Sequence, residues 1–82
     1  MTNWEEKNNI LSKTFTFDSF LSAIKRIYEC APLIDDHNHH PTRTNTYNKV
    51  SVELTTHDKW KIITDKDYTI AKILDQKYTD LQ

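Results

Sequence analysis

The sequence contains no glycine and only one cysteine among its 82 residues. Glycine-rich loops bind phosphate because the backbone can approach it closely, so nucleotide-binding loops of that kind are excluded. The single Cys30 cannot form an internal disulfide, which fits a reducing cytoplasm. No apolar run approaches the roughly 18 residues that span a bilayer, and the acidic first residues are not typical of a signal peptide. We therefore expect a cytoplasmic protein without a membrane segment.

An excess of positive charge is also lacking, since the formal net charge is −1. Nucleic-acid binding through bulk phosphate neutralisation requires clustered Lys and Arg, so we expect no nucleic-acid partner. The length predicts one domain over residues 1–82. A domain this short buries only about 60% of its unfolded surface and is marginally stable alone. This favours a homodimer or a homotetramer.

The first part of the chain has the pattern of a β-hairpin. A short strand is predicted from Trp4 to Lys7, and Asn8-Asn9 suits a tight turn because asparagine tolerates positive φ. The stretch from Ile10 to Phe17 then alternates, with Leu11, Phe15 and Phe17 on one face and Lys13 as the one exception.

A helix is predicted to follow, with Asp18 as its N-cap. Its apolar residues recur at helical spacing and form one stripe: Phe20, Leu21, Ala23, Ile24, Ile27, Tyr28 and Ala31. Lys25, Arg26 and Glu29 lie largely off that stripe. Pro32 disfavours helical geometry at the preceding residue, so the regular helix is predicted to end, or to kink, near Cys30.

The second half repeats this order. Thr42–Thr46 is a possible strand, and Tyr47-Asn48-Lys49 is either a turn or part of a longer strand. Val50 to Thr56 alternates, which places His57 on the polar face. Thr64 and Asp67 fit a capping box. The helix that follows has an apolar stripe made of Ile70, Ala71, Ile73, Leu74 and Tyr78. The pattern predicts an α+β two-layer sandwich, in which a four-stranded antiparallel sheet has helices on one face and the other face open.

Three of the four histidines lie within residues 37–40, beside Asp35 and Asp36, and His57 follows seventeen residues after His40. Imidazole titrates near pH 6.5 and can both give and take protons near neutrality. Proton chemistry, metal binding and a merely polar loop are the three interpretations. The atoms available to zinc or nickel belong to Asp35, His37, His39 and His40. Adjacent histidines in an extended chain point to opposite sides, which disfavours one shared ion.

Four segments together resemble the pterin-4a-carbinolamine dehydratase family: residues 38–41 (NHHP), 47–50 (YNKV), 54–57 (LTTH) and 64–67 (TDKD). Trp4 and the segment 15–20 are similar to the family's first strand and its strand-to-helix junction. The double histidine before a proline, with a third histidine seventeen residues later, makes the resemblance fairly specific. It implies a β-β-α-β-β-α fold in which the family's additional N-terminal helix is missing.

The resemblance implies dehydration of a 4a-hydroxytetrahydropterin to the quinonoid dihydropterin, with a pterin as substrate and no metal or organic cofactor. His39 would be the acid at the hydroxyl, and His57 the base at the ring nitrogen. His40 would bind substrate or serve as a second acid. The alternative is a non-catalytic interaction module of the same fold, because animal members of the family also act as dimerisation partners of a transcription factor.

The resemblance further implies a supporting set of residues. Asp67 would orient a histidine, and Asp35 would favour the charged form of an imidazole. Asn38 stands where animal enzymes often have aspartate, and Pro41 completes the motif. Trp60 replaces a usually glycine-bearing stretch and is the candidate for a lid over the site.

Overall fold

The computed structural model describes residues 3–57 and 61–79 of the chain. Within these ranges the elements are, in order, β1 (Glu5–Lys7), β2 (Ile10–Thr16), α1 (Phe20–Asp36), β3 (Thr42–Thr46), β4 (Lys49–Leu54), β5 (Thr56–His57), β6 (Lys61–Ile62) and α2 (Asp65–Thr79). Among the described residues, no helix is both long enough and apolar enough to cross a membrane.

Four of the strands form one antiparallel sheet in the order β1-β2-β4-β3. The central pair, β2 and β4, sets Leu11 opposite Leu54 and Phe15 opposite Val50, so the apolar side chains of both strands lie on the same face. Strands β5 and β6 form a separate two-stranded ladder beside this sheet. The predicted α+β class with a four-stranded antiparallel sheet is confirmed.

Asparagine supplies the tight turns that glycine often supplies elsewhere. Asn8 and Asn9 have φ of 54° and 63° and form the two-residue connection between β1 and β2, as their sequence predicted. Tyr47 has φ of 51° in the connection between β3 and β4, and the Asn48 side-chain amide donates to the Phe17 carbonyl. This connection is a two-residue turn and does not continue one long strand.

Helix α1 differs from its prediction at both ends. Its N-cap is Ser19, whose hydroxyl accepts from the Ser22 amide, and not Asp18. The helix also runs through Pro32 to Asp36, so the predicted end near Cys30 was wrong. Proline removes one donor to the carbonyl four residues earlier, that of Tyr28. Tyr28 and Pro32 both lie on the exposed side of the helix, while burial of Ile34 stabilises the final turn.

The buried face of α1 was predicted only in part. Ala23 of the predicted stripe is buried and Ile27 packs against the core, whereas Phe20, Leu21, Ile24 and Tyr28 are exposed. The other buried residues of this helix are Arg26, Cys30 and Ile34. Arg26 is buried because its Nη1 donates to the Lys77 carbonyl near the end of α2 at 3.5 Å and approaches a carboxylate oxygen of Glu29. A charged side chain can be buried when such partners satisfy it.

Helix α2 buries the stripe predicted for it, with Ile70, Ala71, Leu74 and Tyr78 all inaccessible to solvent. These residues join the inner face of β2 and β4 in one core. Lys13 interrupts that face at its edge, where its ammonium lies 2.7 Å from Asp75 and above the Phe15 ring. The second half of α2 is thereby tied to the edge of the sheet.

Candidate active site

A buried carboxylate lies at the start of α2. Asp67 is completely inaccessible to solvent, and its Oδ2 accepts from the Thr64 backbone amide at 2.9 Å. This is half of the predicted capping box, in which a carboxylate reaches back to the amide of the cap residue. The Thr64 hydroxyl lies 2.6 Å from the Thr56 hydroxyl. The local structure of the helix start therefore fixes the Asp67 carboxylate in one orientation.

The other oxygen of this carboxylate contacts a histidine that is 28 residues away in sequence. His39 Nε2 lies 2.6 Å from Asp67 Oδ1, and the His39 side chain is only 13% exposed. Thr56 donates to Asp67 Oδ2 at 2.9 Å. An ionised carboxylate can only accept hydrogen bonds, so the proton in the short contact is carried by Nε2. The fold thus joins His39 to a carboxylate that holds its ring in place.

The loop that carries His39 leaves α1 through Asn38, whose φ of 51° turns the chain away from the helix axis. Pro41 is half-buried and leads directly into β3. His39 then lines a small groove of about 200 Å³ together with His37, Asp65, Lys66 and Thr69. Asn38 and Pro41 therefore act on the site through the backbone, by directing the two histidines between them.

His40 lies on a different groove and has a different carboxylate partner. Its Nε2 is 3.1 Å from Asp35 Oδ1, and the two side chains are 57% and 81% exposed. The groove has a volume of about 520 Å³ and is lined by Tyr28, Glu29, Ala31, Pro32, Ile34, Asp35, His40 and Arg43. The two adjacent histidines thus each have an aspartate partner, but only His39 has a buried one.

His57 is exposed in β5, where it pairs with Lys61 of β6. Its neighbour Thr56 points inward to Asp67, and alternation along the strand directs His57 outward, as predicted. His57 is therefore next in sequence to Thr56, which donates to Asp67, but His57 is not part of the contact between His39 and Asp67. Trp60, the candidate lid, lies outside the described residues.

Metal binding was the second functional interpretation of the histidine loop. Across residues 3–57 and 61–79, no three His, Cys, Asp or Glu side chains come together in a way that could hold a metal ion. His37 is exposed, and its Nδ1 donates to the Leu33 carbonyl at 2.9 Å. His39 and His40 are each engaged with a separate aspartate. The side chains that the sequence offered as candidate metal ligands therefore make separate hydrogen bonds instead.

Thr56 and Arg43 lie beside the two histidines but were not predicted from the sequence. Thr56 continues the inward alternation of β4 and lies at the contact with Asp67, and a hydroxyl on a core-facing position was the available signal, because a buried polar group needs a partner. Arg43 lines the groove of His40, and its place in a predicted polar strand gave no indication of this.

Three groups in the described part of the chain have displaced pKa values, namely Cys30, Tyr68 and Tyr78. Burial raises the pKa of Tyr78 to about 12 and raises the pKa of the Cys30 thiol above its usual value. The pKa of Tyr68 is raised mainly by the hydrogen bond that its hydroxyl donates to the Glu6 carboxylate. Cys30 is therefore a neutral, buried thiol.

The fold and the site define a small α+β protein in which a buried carboxylate holds an imidazole suited to proton transfer. A family model described as pterin 4 alpha carbinolamine dehydratase matches residues 1–77. The chain belongs to this family, as its motifs indicated.

Individual relatives agree with this assignment. A protein of Sulfurisphaera tokodaii named "Putative pterin-4-alpha-carbinolamine dehydratase" is 43% identical over 79 residues, which cover 96% of this chain and 84% of the relative. A protein of Metallosphaera sedula with the same name is 40% identical, over 93% of this chain and 78% of the relative. The crystal structure of a transcriptional coactivator/pterin dehydratase from Brucella melitensis has a TM-score of 0.87 at 25% identity, over 94% of this chain and 83% of that one.

Proposed function

We propose that this protein dehydrates a 4a-hydroxytetrahydropterin to the quinonoid dihydropterin by histidine acid–base catalysis. The observation that carries the proposal is the 2.6 Å contact between His39 and the buried Asp67. A carboxylate at that distance orients the ring of an imidazole, the side chain that gives and takes protons near neutral pH. Membership of the family supplies the substrate class.

The reaction divides into two proton transfers. His39 gives a proton to the hydroxyl at C4a, the carbon–oxygen bond breaks, and water leaves. His57 takes the proton from the neighbouring ring nitrogen, and a carbon–nitrogen double bond forms. No electrons are exchanged with a third component, so these steps need no redox cofactor, and we assign both proton transfers to side chains without a metal or an organic cofactor. The exposed position of His57 at the end of β5 leaves its imidazole accessible to a bound ring.

His40 has a supporting role in this proposal. It lines the larger groove, where Asp35 lies 3.1 Å away and Arg43 adds a further donor. A volume of about 520 Å³ falls within the range of small-molecule sites, so this groove would hold the pterin side chain while His40 binds substrate or acts as second acid. The physiological role would be recycling of a tetrahydrobiopterin-type cofactor in the cytoplasm.

The experiment that tests the proposal follows the decay of enzymatically generated 4a-hydroxytetrahydropterin by ultraviolet absorbance. Wild type should accelerate the decay, and His39→Ala and His57→Ala should each remove most of the acceleration. His37→Ala is the matched control, because His37 lies in the same loop but is exposed and bonded to the Leu33 carbonyl. Equal losses in all three variants, or no acceleration by folded wild type, would refute the proposal.

A second candidate function is a non-catalytic oligomerisation or interaction module, and one observation favours it. The outer face of α1 exposes Phe20, Leu21, Ile24 and Tyr28, of which Leu21 is 75% and Tyr28 is 80% exposed. Contiguous apolar surface of this kind marks an association site. We propose a homodimer or homotetramer, which is compatible with catalysis. Light scattering on wild type and Leu21→Lys tests it, since the substitution should shift the mass toward the monomer.

A further inference from the structure

We propose that Thr56 is a positioning residue that acts through Asp67 to hold neutral His39 as its Nε2–H tautomer. Nδ1 is then the nitrogen that exchanges a proton with substrate. The catalytic part of this inference rests on the dehydratase function proposed above. The tautomer and its dependence on Thr56 rest on the hydrogen bonds alone.

Each oxygen of the Asp67 carboxylate has its own hydrogen-bond partners. Asp67 Oδ2 accepts from the Thr64 amide and from the Thr56 hydroxyl, each at 2.9 Å. Because Thr56 gives its only hydroxyl proton to Asp67, the 2.6 Å contact between the two threonines is made by the Thr64 hydroxyl donating to Thr56. A directed chain of donors therefore runs from Thr64 through Thr56 to Oδ2.

Two donors on Oδ2 leave Oδ1 for His39. The Oδ1 atom lies 2.6 Å from His39 Nε2, and Asp67 is wholly buried. Only an Nε2 that carries a proton satisfies this acceptor, so the ring keeps that proton through the catalytic cycle. When His39 has given a proton to the leaving hydroxyl, the proton lost is the one on Nδ1.

Removal of the Thr56 hydroxyl breaks this chain at its centre. Oδ2 loses one donor, the Thr64 hydroxyl loses its acceptor, and the carboxylate can rotate away from the ring. The ionisable groups that line the groove with His39 are His37, Asp65 and Lys66, and they stay in place in every variant used below. A change in the tautomer of His39 can then be assigned to the contact with Asp67.

The experiment measures the ring nitrogens by long-range ¹H–¹⁵N NMR on histidine-labelled full-length protein, at a pH where the His39 ring is neutral, because only the neutral ring has tautomers. Kinetics are measured on the same samples. Wild-type His39 should be the Nε2–H tautomer. In Thr56→Val the population of the Nδ1–H tautomer should rise at least fivefold. The kcat should fall about tenfold, which corresponds to the loss of one hydrogen bond to a charged group, and KM should stay within twofold.

Thr56→Ser keeps the hydroxyl and should restore both readouts to within twofold of wild type. Thr55→Val is the matched control, because the Thr55 hydroxyl donates to the Asn9 carbonyl at 2.9 Å and to the Ile62 carbonyl. It should leave the His39 tautomer unchanged. Thr56→Ala replaces Thr56→Val if the valine variant does not fold.

Three outcomes would overturn the inference: an Nδ1–H tautomer in wild type, no tautomer change on loss of the Thr56 hydroxyl, or the same change in Thr55→Val. If the tautomer responds as expected but wild type does not accelerate the dehydration, the positioning role of Thr56 stands and the proposed function fails. The two parts are thereby distinguishable.

Discussion

His39 and His40 are adjacent in sequence, but each pairs with a different aspartate, and the two pairs lie in opposite environments. His39 and Asp67 are 13% and 0% exposed with 2.6 Å between their nitrogen and oxygen, whereas His40 and Asp35 are 57% and 81% exposed with 3.1 Å. The first carboxylate has further donors from Thr56 and Thr64.

The difference shows what burial adds to the same two residue types. An exposed ion pair is screened by water and contributes about 0 to 1 kcal/mol. Removing one partner of a buried pair leaves an uncompensated polar group and costs several-fold more. The His39 pair is therefore expected to determine both the rate and the local stability, while the His40 pair adjusts substrate binding.

The largest effect is expected on the rate. His39→Ala should lower kcat for the dehydration about a hundredfold or more, because a positioned acid typically contributes that much. The fold-reduction in kcat caused by His40→Ala should be at least ten times smaller than the one caused by His39→Ala. Both variants are compared by stopped-flow absorbance at saturating pterin. Equal losses would mean that burial of the carboxylate does not separate the two histidines.

Asp67→Asn should lower the free energy of unfolding by about 2 to 3 kcal/mol, measured by urea denaturation. The amide has only one acceptor oxygen and cannot satisfy His39, Thr56 and the Thr64 amide together. Asp35→Asn changes an exposed carboxylate in the same way and should cost less than about 1 kcal/mol. A similar cost for both substitutions would contradict the comparison.

The contrast between buried and exposed groups can be sharpened with tyrosines. The pKa of buried Tyr78 is raised to about 12 from an ordinary value near 10, so between those pH values the folded state holds a proton that the unfolded state has lost. The free energy of unfolding should therefore fall by about 2 to 3 kcal/mol as pH rises from 10 to 12.

Denaturation of Tyr78→Phe over the same pH range checks this expectation, because the variant should lack that part of the alkaline loss. Tyr28→Phe is the control, since the Tyr28 side chain is 80% exposed. The expectation fails if the alkaline loss is the same in wild type and in both variants.

The smallest effect is expected from salt. Raising ionic strength from about 0.1 M to 1 M shortens the screening length from about 10 Å to about 3 Å. This should weaken the exposed His40 and Asp35 pair and change KM by up to about twofold. In Asp35→Asn the change should disappear. Steady-state kinetics in NaCl at fixed pH would measure it, and a large salt effect on kcat would count against a water-excluded His39 pair.

Much of the fold could be predicted because local chemistry determined it. Asn8-Asn9 encodes a tight hairpin wherever the flanking strands lie, and the alternation of Val50, Val52 and Leu54 fixes the inner face of β4. The apolar stripe of α2 was identified correctly because all its members are apolar and pack into the same core as the inner face of β2 and β4.

The buried face of α1 could be predicted only in part by the same reasoning. Arg26 is buried because the end of α2 offers it a carbonyl, which is a tertiary contact that spacing does not reveal. The apolar residues it displaced are exposed on the outer face. Pro32 was given too much weight, since the lost hydrogen bond falls on the exposed side of the helix.

The candidate site, like the fold, was predicted from the sequence only in part. The motif residues His39 and Asp67 were identified from the sequence, and the structure brings them together. The unequal environments of His39 and His40 depend on which side of the loop α2 covers, and residue identity carries no information about that. Thr56 was recognisable only as a hydroxyl on an inward-facing position.

The absence of glycine has a consequence for the denatured chain. Asn3, Asn8, Asn9, Asn38 and Tyr47 hold left-handed backbone in the folded protein, where glycine would fit without a steric cost. Each of these residues has fewer conformations than glycine when the chain is unfolded, a difference of about 0.4 to 1 kcal/mol per position. The turn at Asn38, which leads into His39 and His40, thus combines a less favourable folded backbone with a less disordered unfolded one. Glycine at this position would remove the steric cost in the folded state but would increase the disorder of the unfolded state. The net stability of this small domain therefore depends on its denatured ensemble as well as on its contacts.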